Sequence, residues 1–423
     1  MFPPGEAAAD RATAGRLTAC GEGVKRASHR QTGVRGAAAR SRVGTAGDAV
    51  RWIEERPAVL VVGLGPAGAR AAAVAACAGC SVLAVERRRS VGDPLQCAEF
   101  VSGALGLQGL CWEEVTSQRI ARMVTVVESL EPRVSEDFRG RMICRGAFDR
   151  ALARQAVASG ARILLGAAVA QVLADGAVRL SNGRLLRPRA LIGADGPRSL
   201  VGAAIGHCNR QLVAARQARV PLTRPYEATD IFLRAEYPGG YGWLFPKAGV
   251  ANLGVGVDFQ DRHRLKSLLR GLHEDLAAAG RVSAGAPLTL TGGLIPVGGR
   301  LRAIGHLGAV PVILAGDAAG LTNPVTGAGI EAAVHSGALA GAAAASWLGG
   351  CSTAPEEYES ELSELYDGAH ARALRRRREL LEALGRGRVT AEALWDGWIA
   401  SANYWSDTPA AGVARTDGPG AAA

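Results

Sequence analysis

Apolar positions in this chain come in short bursts divided by glycine-rich turns, and the bursts alternate with alanine-rich stretches of helical spacing. The first burst, Val59-Leu-Val-Val62, is continuous rather than alternating, the pattern of a strand buried on both faces. Gly63-Leu-Gly65-Pro66-Ala67-Gly68 follows, then an alanine-rich stretch through Ala72 to Gly79, then a second apolar run from Ser81 to Val85 with Glu86 at its end. Strand, glycine turn, helix, strand and terminal acid together predict a βαβ dinucleotide-binding unit. Gly63 permits the tight turn, Gly65 lets backbone N–H groups approach a pyrophosphate, and Gly68 lets helix and strand pack closely. Glu86, eighteen residues past Gly68, can accept from a ribose hydroxyl.

The pattern then breaks off and returns, as a discontinuous cofactor domain would. From Arg145, with Phe148, Leu152 and Ala156 on one face, an amphipathic helix is predicted to end at Gly160, followed by strand-like Ile163-Leu-Leu165 and Val169. Apolar runs on either side of Asn182-Gly183 predict a hairpin. Ala190-Leu-Ile192 delivers Gly193-Ala-Asp195-Gly196, and Val312-Ile-Leu-Ala315 delivers Gly316-Asp317. Pro324-Val-Thr326-Gly327-Ala-Gly329-Ile330 then opens a long alanine-rich helix. Asp317 can accept from a ribityl hydroxyl, while the helix start would turn unpaired N–H groups and a positive dipole end toward the flavin C2 carbonyl. Three motifs in this order describe a flavoprotein holding FAD, with Pro66, Ala67, Arg87, Gln96, Cys97, Arg145 and Val169 counted among the expected cofactor contacts.

Composition narrows the class. At 423 residues the chain has room for two or three domains, and 48% apolar residues with mean hydropathy +0.09 fit a globular enzyme. The formal charge of +10 is diffuse and arginine-based, with Lys25, Lys247 and Lys266 the lysines of the sequence, so it reads as codon usage rather than a nucleic-acid surface. Eight cysteines without a secretory signal argue against a disulfide framework. Cys77 and Cys80 form a CxxC with no second pair, so helix packing is expected of them and no metal site. Residues 1–56 show no apolar period and read as a disordered extension, either a targeting segment or the product of an upstream start codon. Ala328 to Gly350 is weakly polar yet carries Glu331 and His335, so no membrane span is expected. A cytoplasmic enzyme follows, with peripheral membrane contact and organelle targeting left open.

Between the second and third motifs stands Tyr241-Gly-Trp243-Leu-Phe245-Pro246, then seven residues and Gly254-Val-Gly256. Alternation along a strand puts Tyr241, Trp243 and Phe245 on one face, as the wall of an apolar pocket or of a core. With this signature, with Gly92-Asp-Pro-Leu-Gln96-Cys97 after the first acid, and with Gly292-Gly-Leu-Ile-Pro296 ahead of the last motif, the chain resembles the geranylgeranyl reductase family of FAD-dependent oxidoreductases over roughly residues 57–350.

That resemblance implies a p-hydroxybenzoate hydroxylase-type α/β fold: a Rossmann-like FAD domain from 57–105, 141–207 and 286–350, and an antiparallel β-sheet substrate domain from 106–140 and 208–285. Beyond the resemblance, a helical C-terminal region is expected at 351–423. The resemblance implies saturation of isolated C=C bonds in a prenyl lipid, with electrons from NAD(P)H or a ferredoxin-type donor. It also implies catalytic positions at Cys97, Tyr241, Trp243 and Phe245. A thiol at Cys97 would donate a proton or order a water, or else be a buried structural cysteine. The same fold hosts monooxygenases and electron carriers, which stay open as alternatives.

Glu356 to Leu384 predicts one helix with acids first and Arg375 to Arg378 later, placed well for the dipole and expected to be solvated. Trp395, Trp398, Tyr404 and Trp405 near the end either cap the cavity or fold back on the core.

Overall fold

A computed structural model describes residues 54–103, 105–106 and 110–406. The central layer is a six-stranded sheet in the order Ile304–Leu307, Val310–Leu314, Ala190–Gly193, Val59–Val62, Val82–Glu86, Arg162–Leu165. Its strands are parallel except Ile304–Leu307, which pairs antiparallel at one edge. Val59 to Val62 are buried on both faces, as the unbroken apolar run requires. Helix Pro66–Cys77 packs against helix Ile330–Leu348, and the contact depends on small residues: a β-carbon at Gly337 would overlap the carbonyl oxygen of Ala67. The helix anticipated from Arg145 is present as Arg145–Ala158, with Phe148 and Leu152 in the core, and it packs against Pro66–Cys77.

Over this unit lies a seven-stranded sheet in the order Thr289–Pro296, Leu212–Pro221, Val250–Asp258, Gly242–Lys247, Ala228–Leu233, Arg122–Val127, Arg133–Ser135. Two expectations need correction. Ala228–Leu233 and Arg122–Val127 run parallel, so the sheet is mixed rather than wholly antiparallel. Thr289–Pro296, expected with the FAD domain, is instead an edge strand of this sheet, because its backbone N–H and C=O groups find their partners along Leu212–Pro221. Helix Leu265–Ala278, not anticipated, buries Leu265, Leu268, Leu269, Leu272 and Leu276 against the sheet's back.

The expected boundary at residue 57 also shifts. Glu54–Glu55 pair in parallel with Leu185–Leu186, and Glu55 accepts from Arg162 at 2.5 Å and Arg184 at 2.6 Å. The remainder of the 1–56 extension lies outside the described residues. Cys80 packs on the core as a free thiol, whereas Cys77 is exposed at the helix end and is disulfide-bonded, contrary to the packing expected of both.

Helix Ala354–Gly385 is where the arginine run behaves unlike a solvated stretch. Arg376 is fully buried: its Nε donates to Tyr404 O at 3.3 Å, its Nη2 to Ser406 O at 2.7 Å and also to Asn403 O, and its Nη1 meets Glu379 at 3.0 Å. Arg377 is buried too, donating to Gly239 O and to Asp258 at 3.2 Å. Adjacent helical positions point in different directions, and here two of them find the protein rather than water. Among the described residues no helix is long and apolar enough to cross a membrane, and no group of His, Cys, Asp or Glu could hold a metal ion.

Candidate functional site

One cavity of about 2410 Å³ runs between the two sheets, well beyond the roughly 300–1,000 Å³ of an ordinary ligand pocket. Gly65, Pro66, Ala67, Arg87, Gln96, Cys97, Arg145, Asp195, Gly196, Asp317, Pro324, Gly327, Gly329 and Ile330 all line it. Five expected cofactor positions do not. Gly63, Gly68 and Gly316 lie behind it, where absent side chains permit packing: a β-carbon at Gly68 would overlap Gly63 O, and one at Gly316 would stand 3.0 Å from Ala67 Cβ. Glu86 accepts from Leu64 N at 2.9 Å and Arg88 N at 3.0 Å, so the acid first braces the glycine turn. Val169 sits in the small sheet with Val178–Leu180, partly buried against the core and away from the cavity.

Gly65 is the N-cap of helix Pro66–Cys77 with no side-chain cap, and a β-carbon there would meet nothing within 4 Å. The helix therefore points uncapped N–H groups at open space, the condition for an anion. Gly329, also without a side-chain cap, opens the 19-residue helix Ile330–Leu348 onto the same cavity. Asp317 follows strand Val310–Leu314, and burial pushes its carboxyl up to about 6, opposed by the charge of Arg145. Asp195 is differently employed: it accepts from Ser199 at 2.5 Å and Leu200 N at 2.7 Å, fastening the next helix, so it reaches the cavity beside Gly196 with its carboxylate already engaged. Desolvation raises its pKa.

Cys97 is half-buried on the cavity wall. Its Sγ accepts from Glu99 N at 3.1 Å and from the Arg145 guanidinium, whose Nε also donates to Asp149 at 2.7 Å. Burial works against the Arg145 charge, but Asp149 and then Cys97 outweigh it and raise its pKa. Glu99, 1% exposed with φ +70, gathers Arg145 N at 2.9 Å, Lys247 Nζ at 2.7 Å and Asn252 Nδ2 at 3.0 Å. The loop carrying Cys97 is thus tied to both layers.

Tyr241, Trp243 and Phe245 stand in a row, with centroids 5.8 Å and 6.4 Å apart. Tyr241 also donates to Thr326 O at 2.6 Å, joining the row to the loop before helix Ile330–Leu348; burial raises its pKa. The row continues where no motif pointed. Phe100 lies 6.0 Å from Phe245 and stacks on Phe138 at 5.2 Å, while Trp398 meets Tyr241 edge-on at 5.1 Å. Trp398, Tyr404 and Trp405 line the cavity, and Trp395 instead carries Arg133 over its ring at 4.3 Å. Gln217, missed in the sequence because a polar residue inside a strand has no signature, accepts from Trp243 Nε1 at 3.1 Å and donates to Cys97 O at 3.1 Å.

No family model matches the chain. It is 34% identical over 314 residues to digeranylgeranylglycerophospholipid reductase 2 of Methanopyrus kandleri, covering 68% of this chain and 76% of that one. The chain belongs to the geranylgeranyl reductase family. A digeranylgeranylglycerophospholipid reductase of Methanocella arvoryzae is 32% identical over 67% of this chain and 76% of its own. Among solved structures, a geranylgeranyl bacteriochlorophyll reductase-like protein from Thermoplasma acidophilum superposes with TM-score 0.70 at 25% identity, covering 81% of this chain and 96% of that one. A probable FAD-dependent monooxygenase of Pseudomonas aeruginosa, with TM-score 0.58 at 21% identity over 79% of this chain and 99% of that one, shares the fold. The protein is thus an FAD-dependent oxidoreductase, and the two uncapped helix starts with Asp317 between them fit that cofactor.

Proposed function

We propose that this protein saturates isolated C=C bonds of a prenyl-chain lipid. One observation carries the reading: the row Tyr241, Trp243, Phe245, lengthened by Phe100 and Trp398, lies in the same cavity as the Gly65 and Gly329 helix starts. The names borne by its relatives agree. Bound and reduced, FAD supplies a hydride; everything else falls to the chain's own residues. The aromatic wall binds and aligns the prenyl chain, whose burial is worth roughly 0.8 kcal/mol per methylene and needs few polar contacts. Closure by Trp398, Tyr404 and Trp405 excludes water. We assign Cys97 the proton, given by its thiol or by a water that it orders, with Sγ held in place by the N–H donors of Glu99 and Arg145, because among the described residues no other free thiol lines the cavity.

The FAD loop, the aromatic wall and the C-terminal cap divide the labour among a dinucleotide domain, a sheet domain and a helical region. We assign electron supply to NAD(P)H or a ferredoxin-type protein, and a cytoplasmic location with peripheral contact to membranes that hold the substrate. Anaerobic addition of a geranylgeranyl lipid to the reduced enzyme should reoxidise the flavin and yield saturated lipid. Turnover that needs oxygen and gives hydroxylated or epoxidised lipid would overturn the reading in favour of a monooxygenase.

A further inference from the structure

Trp243 offers its ring to the cavity wall, and its polar edge is engaged as well. Trp243 and Gln217 lie on strands Gly242–Lys247 and Leu212–Pro221, separated by Val250–Asp258, and both are in register with Gly254 of that middle strand. Gly254 has no side chain, so the indole crosses it and reaches the next strand, where Nε1 donates to Gln217 Oε1 at 3.1 Å. From there Gln217 Nε2 donates to Cys97 O at 3.1 Å. Gln217 is 6% exposed and lines the cavity, and its amide spends a donor on one partner and its acceptor on the other. A buried amide so committed has one orientation, since turning it over would set donor against donor and acceptor against acceptor.

We infer that Gln217 is a positioning residue that fixes the substrate wall at Trp243 relative to the Cys97 loop. The inference rests on the prenyl-reductase reading. If wall and loop shifted independently, an alkene aligned by Trp243 would not stay aligned with the group that protonates it; a displacement of an ångström is enough to cost rate. Three features support the relay over ordinary core bonding: it joins two separate layers, both ends face the cavity, and Asn252 Nδ2 fastens the neighbouring carbonyl of Ala98 at 3.1 Å from the same sheet. Gln217 touches neither the reacting carbon nor the cofactor in this scheme. Its effect passes through its two partners.

The test uses the full-length holoenzyme with Gln217→Met, which keeps the shape and removes both bonds, Trp243→Phe, which keeps a ring and removes the donor, and the double variant. Two readouts are taken. The indole N–H resonance of Trp243, assigned by its loss in Trp243→Phe, should move and exchange faster with solvent in Gln217→Met. In anaerobic prenyl-lipid reduction, Gln217→Met should lower kcat about tenfold with KM changed less than about twofold, and the double variant should be no slower than the slower single one. An unmoved indole resonance, a loss confined to KM, or effects that multiply in the double variant would each overturn the inference. A wild-type enzyme with the expected indole signature but no prenyl saturation would overturn the reductase reading, and with it the catalytic purpose of the relay, while leaving the hydrogen bond itself established.

Discussion

The indole of Trp243 lies directly over Gly254: a β-carbon at that glycine would overlap Cζ2 and Cε2 and stand 2.8 Å from Cη2. The second half of the signature is therefore the space that the first half occupies. Gly254→Ala should displace the ring and reduce prenyl turnover by about ten- to a hundredfold. Flavin content and donor-driven flavin reduction should stay near wild type; anaerobic single-turnover kinetics on the FAD-loaded variant would check this.

The two leading glycines of the first turn should separate binding from folding. Gly65→Val fills space the protein leaves open, so it should keep the melting temperature of cofactor-free protein yet fail to retain FAD. Gly63→Ala places a methyl against Ala194, 2.7 Å from its carbonyl carbon, at φ +93, and should lower stability with or without FAD. Absorbance of the purified variants and thermal melts before and after FAD addition give both readouts.

The central sheet was legible because a parallel strand buried on both faces leaves an unbroken apolar run, and Val59–Val62, Ala190–Gly193 and Val310–Leu314 all do. The glycine turns were legible for a related reason: each marks a place where a side chain cannot stand. Phe100, Phe138 and Gln217 were not legible, because they come together from three distant segments and none sits in a local pattern; Trp398, expected either to cap the cavity or to fold back on the core, lines the cavity against Tyr241. Arg376 misled for a physical reason as well. A charge run is normally solvated, but this guanidinium meets backbone carbonyls that only the folded C-terminal segment supplies. Asp195 carried the right motif, and its carboxylate is nonetheless spent on capping the next helix.

Asp317 ties cofactor binding to pH. Its carboxyl is raised by burial to about 6, so without FAD the uncharged form suits the fold. Stability from this group is full below its ordinary range near 4 and is lost as pH rises through about 6, by no more than about 3 kcal/mol. Asp317→Asn should flatten that slope in urea titrations of cofactor-free protein between about pH 4 and pH 8. The same change should weaken FAD binding by about ten- to a hundredfold, as expected for loss of a charge-assisted hydrogen bond.

Arg376→Met should cost about 1–3 kcal/mol, because it removes the guanidinium that the carbonyls of Asn403, Tyr404 and Ser406 share, while Asn403 O keeps Ser406 and Ser406 O keeps Arg375 as donors. Since Tyr404 and Trp405 line the cavity, prenyl turnover should fall further than FAD affinity does. Chemical denaturation and product analysis on the same preparation would compare the two.

A start at residue 54 should keep the FAD content and melt higher than a start at residue 57, which removes Glu55, the carboxylate that Arg162 and Arg184 share. Thermal melts of the two truncated proteins would decide where the domain begins.

Strand Val59–Val62 finds its neighbours at Val82 and Ala190, and Ala190–Gly193 finds its other neighbour at Val312. A ribosome making this chain must therefore deliver more than seven-tenths of it before the first strand lies in a complete sheet, and nearly all of it before Trp398 and Tyr404 close the far wall. Assembly from such distant segments is slow, and the early chain waits with apolar strands uncovered. The two helix starts that face the cavity belong to the first and last parts of this sheet, so the cavity is complete only when what translation makes furthest apart has met.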